Sequence, residues 1–281
     1  MPKFSVVTCV SDIDIYDRCL LDSLRKVRGG HDIEIIPIHN DNNRFTASIA
    51  LNYGIDAAKS DVVIFVHQDV RLLEDWFTLL SNTIDGLDDD WGIVGSAGIH
   101  LKYGRSDIGR WGGALNVDTV AVGTVYDSDE SLETGPYWNG IKEASPIHCV
   151  DECLFALNKR CGLRFDRQFT GFHFYGVDMC LQARAAGYLV YGAHLPIIHY
   201  GQYSASFSGD RKYWVYYRYL HHKWHRRFIE LLGTHMHWAE NECTSYISIG
   251  LEDGFGTDIK VRAMGFEKVQ LYHDESIGII S

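Results

Sequence analysis

His67-Gln68-Asp69 follows the apolar run Val62–Val66 and sets an imidazole and a carboxylate two residues apart. Side chains alternate along a strand, so His67 and Asp69 project from one face. At a sheet edge, a carboxylate so placed is a hard oxygen ligand that can hold a divalent cation, and such a cation carries phosphate oxygens. His67 either assists that ligation or touches the ligand. The competing account makes Asp69 a cap for the following helix and His67 a satisfied polar residue. Other side chains with chemical potential stand further along. Asp151 and Glu152 are adjacent acids, Asp178 opens a helical pattern, and His194 and His199 flank Pro196-Ile197-Ile198. A carboxylate at a helix start is electrostatically favoured whether or not it does chemistry.

These residues need a frame that brings them together. Phe4–Cys9 is a β-rich run, and Asp14–Val27 carries Leu20, Leu21, Leu24 and Val27 at helical spacing before Gly29-Gly30 ends it. Ile33–Ile38 is a second apolar strand, Arg44–Lys59 a second helix, and Val62–Val66 a third strand. Strand–helix–strand–helix–strand predicts a parallel sheet, whose ligands gather beyond the carboxyl ends of the strands. Ser11, Asn40-Asp41 and His67-Gln68-Asp69 all fall at those ends. Trp76–Ile84 predicts a helix and Ile93–Gly98 a strand, and residues 99–145 read as a long irregular stretch. Strand character returns over residues 146–158. Val177–Ala186 predicts a helix, Tyr188–Tyr191 a strand and Pro196–His199 a short apolar run. Tyr213–Leu232 predicts one long helix, with short strands at Ile247–Gly250, Asp258–Val261 and Lys268–Tyr272.

The formal net charge of −11 repels phosphate backbones and argues against a nucleic-acid partner. The basic stretch within 211–227 reads as a solvated helix face, or alternatively as a surface for peripheral membrane contact. No apolar run reaches the length of a transmembrane span. The seven cysteines are scattered, without CxxC or zinc spacing, which suits free thiols in a reducing compartment and predicts a cytoplasmic protein.

The segment from Asn52-Tyr53-Gly54 through Val62–Val66 to His67-Gln68-Asp69 closely resembles the family two glycosyltransferases of GT-A fold. In that family an Asn-x-Gly helix leads into an apolar strand ending in an acidic metal-binding motif. Phe4–Val10 looks like the family's first strand and donor-binding turn, and the resemblance resumes over Val150–Leu157 and Phe172–Tyr188. The order of the four segments matches the family. Two places depart from it. His67 replaces the first acid of the usual Asp-x-Asp, as in a similar branch with a His-Gln-Asp strand end. Tyr175 and Gly176 stand where the family often carries Glu-Asp before the helical Asp178.

The resemblance implies an α/β, GT-A type nucleotide-diphospho-sugar transferase fold, mostly a parallel sheet flanked by helices. That domain would cover residues 1–210, and residues 211–281 would be a C-terminal helical or mixed extension. It implies an inverting hexosyl- or deoxyhexosyltransferase using Mn²⁺ or Mg²⁺. The donor would be a UDP-, GDP- or dTDP-linked sugar, and the acceptor a hydroxyl of a glycan or glycoconjugate. Asp69 and His199 are the expected metal ligands, His199 being preferred to His194 for its strand-end position. Asp178 is the expected general base, with Asp151 and Glu152 as the next carboxylates, suited to binding acceptor or donor sugar. Thr8, Val10, Asn40, Asp41, Asn52, His67 and Gln68 are expected around the donor, although Asn40 and Asp41 also suit a turn and cap. Trp111, Tyr137 and Trp138 are candidates for stacking on sugar faces. A non-catalytic sugar- or nucleotide-binding module of the same fold is the first alternative, motivated by His67, Tyr175 and Gly176. A nucleotidyltransferase is disfavoured, because Cys9-Val10-Ser11-Asp12 lacks a glycine-rich, cationic phosphate loop.

Overall fold

The computed structural model describes residues 2–73, 75–101, 119–201, 211–224, 227, 269–273 and 276–280. The chain forms two compact units. One comprises Met1–Leu101 with Thr119–Gln202, the other Lys102–Asp118 with Tyr203–Ser281.

The first unit opens with β1 (Phe4–Val10) and a helical stretch over residues 13–27. That stretch runs as α1 (Ile13–Tyr16), a π-type segment (Asp17–Leu21) and α2 (Asp22–Val27). Asp12 caps it by accepting the Ile15 N–H at 3.0 Å. β2 (Ile33–His39) follows, then α3 (Ala47–Ala57) with Thr46 as its cap, then β3 (Val62–Val66). The helix expected from Arg44 starts later because Thr46 caps it and Asn42 and Asn43 hold left-handed φ values of 57° and 52°. Next come β4 (Val70–Leu72), α4 (Trp76–Asp85), β5 (Trp91–Gly95), β6 (Ala97–Leu101) and β7 (Thr119–Tyr126). The short elements α5 (Ser131–Thr134), β8 (Trp138–Asn139), β9 (Ser145–Pro146) and β10 (Cys149–Val150) lead to β11 (Leu154–Asn158). α6 (Tyr175–Ala185), β12 (Leu189–Gly192) and β13 (Ile197–His199) close the unit.

A seven-stranded sheet has the order β2-β1-β3-β11-β5-β12-β9. β1 pairs parallel with β2 and β3, and β12 parallel with β5, while β11 runs antiparallel between β3 and β5. The apolar runs of β3 and β11 are almost wholly buried, as strands covered on both faces must be. A second sheet has the order β10-β6-β7-β13-β4, with β8 on β7. Thus part of the stretch expected to be irregular, residues 99–145, forms β6 and β7, which pair antiparallel from Ala97↔Gly123 to Leu101↔Thr119. The predicted strand over Ile93–Gly98 is in fact two strands, one in each sheet, with Ser96 between them.

The Asn-x-Gly helix is explained by packing. A Cβ on Gly54 would lie 2.1 Å from Val7 Cγ1, so only glycine lets α3 approach β1 this closely.

In the second unit, α7 (Arg211–Trp224) buries Tyr216, Tyr219, Leu220 and Trp224 at helical spacing. β14 (Val269–His273) and β15 (Ser276–Ile280) pair antiparallel. The strands expected at Ile247–Gly250 and Asp258–Val261 lie outside the described residues. Among the described residues, no helix is long and apolar enough to cross a membrane.

Candidate active site

β3 ends at Val66, and the chain turns through His67-Gln68-Asp69 into β4. The His67 N–H donates to Cys153 O at 2.9 Å, and the Val70 N–H to His67 O at 3.2 Å. β4 pairs antiparallel with β13 and sets Val70 opposite His199, while the Tyr200 N–H donates to Asp69 O at 3.0 Å. That register carries His199 to the turn from 130 positions away in sequence (199 − 69 = 130). His199 Nε2 lies 3.5 Å from Asp69 Oδ1, and the His67 and His199 rings meet edge-on with centroids 5.4 Å apart. One ligand atom from each of His67, Asp69 and His199 lies within 4.8 Å of the others. Among the described residues, this is the group of His, Cys, Asp or Glu side chains able to share one ion.

Charge within the group is strongly biased. Burial alone would raise the Asp69 carboxyl, yet the His199 hydrogen bond and the nearby imidazoles hold it below its ordinary value. Burial would likewise depress His199, but Asp69 and then Asp151 raise it. His67 is lowered by burial and by His199, against the opposing charges of Asp69 and Asp151. A neutral imidazole, a carboxylate and an imidazole whose proton a cation can replace form a fitting donor set for Mn²⁺ or Mg²⁺. Space is kept for it. A Cβ on Gly201 would come within 2.8 Å of His199 Nε2 and 3.4 Å of Asp69 Oδ2.

A cleft of about 230 Å³ opens beside this group. Its walls include Cys9 on β1 and Ser11 just after it, Leu51 on α3, and His67, Asp69, Glu152, Phe172 and Tyr175. A larger cleft of about 590 Å³ shares Asp69 and is lined by Arg18, Arg71, Asp129 and Tyr200 among others. There Arg71 Nη1 donates to Asp129 Oδ1 at 2.6 Å and Tyr200 Oη to Asp129 Oδ2 at 3.0 Å.

The other expected residues are distributed unevenly. Gln68 Oε1 accepts the N–H groups of Ser11 and Asp12 at 2.9 and 3.0 Å, and its Nε2 donates to Ser11 Oγ. It therefore ties the turn after β1 to the turn at His67-Gln68-Asp69. Thr8 and Val10 are buried, and strand alternation turns Cys9 toward the cleft instead. Asn40 is buried and holds both the N–H and the C=O of Phe45, at 2.8 and 3.0 Å. Asp41 is exposed at the start of a 3₁₀ turn and is not among the cleft's lining residues. Asn52 performs a similar clamp, donating to Phe165 O at 2.8 Å and accepting its N–H at 3.0 Å. Asp178 is fully buried, accepts the Gln182 amide at 2.7 Å and does not line the cleft. Asp151 accepts the Cys153 N–H at 2.9 Å. His194 contacts Thr124 Oγ1 at 2.9 Å, away from the three-residue group. Trp138 is anchored through Nε1 to Val122 O, and Tyr137 is exposed. Trp111 lies outside the described residues.

Sequence reading noted Tyr175 only as a departure from the family pattern, and it did not single out Phe172; both line the cleft. Tyr175 Oη lies 2.9 Å from His67 Nε2 and fixes that ring. Phe172 is half exposed on the cleft wall, and its position just before the α6 motif was the available signal.

Comparison with known proteins places this geometry. A model of a glycosyltransferase-like family matches residues 5–223. A protein of Fuscovulum blasticum described as "ATP synthase subunits region ORF 6" is 26% identical over 204 residues, 71% of this chain and 76% of that protein. Among solved structures, the mannosyltransferase PcManGT from Pyrobaculum calidifontis, in complex with GDP-Man and Mn²⁺, superposes with a TM-score of 0.51. Its identity is 11%, over 90% of this chain and 76% of that one. GalNAc-T7, solved with UDP, GalNAc and Mn²⁺, gives 0.52 at 11% identity, over 89% of this chain and 58% of that one. These two similarities establish a shared α/β fold, of the GT-A type.

Proposed function

Because the chain belongs to the glycosyltransferase-like family, we propose that it is an inverting, metal-dependent enzyme of the His-Gln-Asp branch. It moves a hexosyl or deoxyhexosyl group from a UDP-, GDP- or dTDP-linked donor to a hydroxyl of a glycan or glycoconjugate. We assign the transfer to residues 1–210 as the GT-A domain, with 211–281 as an extension, in a cytoplasmic protein. The observation that carries the reading is the convergence of His67, Asp69 and His199 beside a cleft at the carboxyl ends of β1 and β3.

His67, Asp69 and His199 would hold Mn²⁺ or Mg²⁺, the metal with which the fold's solved relatives were seen being Mn²⁺. When bound, the cation neutralises charge on the departing diphosphate. The chain's own residues do the positioning. Tyr175 orients His67, Gln68 locks the turn after β1 against the metal turn, and Phe172 offers an apolar face to the nucleoside or sugar. The tight clamps of Asn40 and Asn52 support a role in shaping the walls rather than in touching donor. Asp178, whose carboxylate is buried against Gln182, fits a structural role better than that of a base meeting an acceptor.

Thermal-shift titration with UDP, GDP and dTDP, with and without Mn²⁺, tests the reading. One nucleotide should stabilise the protein only when Mn²⁺ is present, and Asp69→Asn should abolish that dependence. Absence of any nucleotide effect would sink it. Metal-dependent binding without turnover from a panel of nucleotide sugars would favour the non-catalytic module, for which Tyr175 and Gly176 are the motive.

A further inference from the structure

We propose that Glu152, in the turn between β10 and β11, is the general base of this site. The inference rests on the glycosyltransferase reading above.

Three observations carry it. The Gly176 N–H donates to Glu152 Oε1 at 2.9 Å, so the carboxylate sits directly over the first turn of α6. A Cβ placed on Gly176 would lie 2.7 Å from Glu152 Cγ, far inside van der Waals contact. In an aspartate at 176 the Cβ would bear the carboxyl carbon, and in Glu152 the Cγ bears it. A side chain at 176 and the Glu152 side chain therefore compete for one space. Glycine at 176 is what makes room for the longer side chain arriving from the other element. Glu152 is also half-buried on the wall of the cleft that holds His67, Asp69 and Tyr175, whereas Asp178 is not on that wall.

The groups facing Glu152 are Asp151 on its own turn, Cys149 on β10, and Tyr175 and Cys180 on α6. Burial pushes the carboxyl well above the ordinary carboxylate range, and the Asp151 charge adds to this against the Gly176 hydrogen bond. A carboxylate raised in this way is a stronger proton acceptor than an ordinary one. In the step, the acceptor oxygen forms a bond to the anomeric carbon and its proton passes to the Glu152 carboxylate. The anomeric C–O bond to the diphosphate breaks, and its electron pair leaves on the nucleoside diphosphate. Glu152 returns its proton to water after release.

The test uses the full chain with Mn²⁺, a panel of UDP-, GDP- and dTDP-sugars, and turnover with acceptor or water. Glu152→Gln keeps an oxygen for the Gly176 N–H but loses the base. It should show the wild-type thermal shift with Mn²⁺ and nucleotide while kcat falls about 100-fold or more. Gly176→Asp alone crowds two carboxylates and should be impaired. The exchange double variant Glu152→Gly, Gly176→Asp should regain at least tenfold over Glu152→Gln. Glu152→Gln within about twofold of wild-type kcat, or an exchange variant no faster than Glu152→Gln, overturns the assignment while leaving the glycosyltransferase reading intact. A wild-type chain with neither turnover nor Mn²⁺-dependent nucleotide binding overturns both.

Discussion

Replacing Gly201 by alanine probes the metal group with the smallest possible change. Gly201 lies outside the left-handed φ region, so alanine introduces no backbone strain there. The added Cβ would sit 2.8 Å from His199 Nε2 and 3.1 Å from His199 Cε1. Ordinary contact begins near 3.4 Å, so the ring must retreat by about 0.6 Å (3.4 − 2.8) or rotate. Ligand distances tolerate only about ±0.2 Å before coordination weakens. The imidazole is half-buried and free to yield, so stability should change by less than about 1 kcal/mol. Mn²⁺ affinity should fall by about 10–100-fold, the range for displacing groups that orient a metal ligand. Isothermal titration of Mn²⁺ into wild type, Gly201→Ala and Asp69→Asn, with melting curves on the same samples, gives both numbers. Unchanged Mn²⁺ affinity in Gly201→Ala, alongside lost affinity in Asp69→Asn, would refute the claim that His199 completes the site. A large drop in melting temperature would instead make the glycine a packing residue.

Asn52→Ala should lower stability by about 2–3 kcal/mol in urea denaturation, since the Phe165 N–H and C=O lose their buried partner. Its nucleotide thermal shift with Mn²⁺ should match wild type, and a selective loss of binding would restore Asn52 to the donor site. His148 titrates at about 3 in the fold, held down first by burial and then by Arg184 and His100. Unfolding releases it toward its ordinary value near 6.5, so the unfolded chain binds the extra proton. Its contribution is therefore intact above about pH 6.5 and is lost as pH falls from there toward 3, by up to about 1.4 kcal/mol per pH unit. His148→Gln should flatten the stability profile measured by denaturation between pH 6 and 4, and an unaltered slope would assign the acid sensitivity elsewhere.

What was legible in the sequence was whatever local chemistry controls. β3 announced itself as an unbroken apolar run, and His67 and Asp69 followed from its end. Asn52 and Gly54 were legible as a motif but not in their duties. The partner of Asn52 is Phe165, 113 positions away, and that of Gly54 is Val7 across a sheet–helix interface. The Thr8 and Val10 side chains are buried while Cys9 between them lines the cleft, because a period of two sends neighbours to opposite faces. β4 has three residues and no periodicity to reveal it, yet its pairing with β13 delivers His199. The second sheet escaped for a related reason. β7 stands in the stretch read as irregular, and β4 and β10 are two or three residues long.

The carboxylate beside the cleft shows why position in a motif and position in space must be kept apart. Set against the Glu-Asp and helical Asp of the family it resembles, the window 175–178 keeps one acid, Asp178, and so points to it. Asp178 in the fold accepts from Gln182 one turn along α6 and does not line the cleft. The window next to it holds a glycine in place of an acid, and glycine within a helix costs about 1 kcal/mol relative to alanine. Such a cost calls for a neighbour that needs the room, and Glu152 Cγ, 2.7 Å from the missing Cβ, is that neighbour. Glycine at 176 and glutamate at 152 then form one fitted pair. Neither position alone reveals it, and only the pair predicts that moving the acid back onto the helix should be tolerated when Glu152 is removed with it.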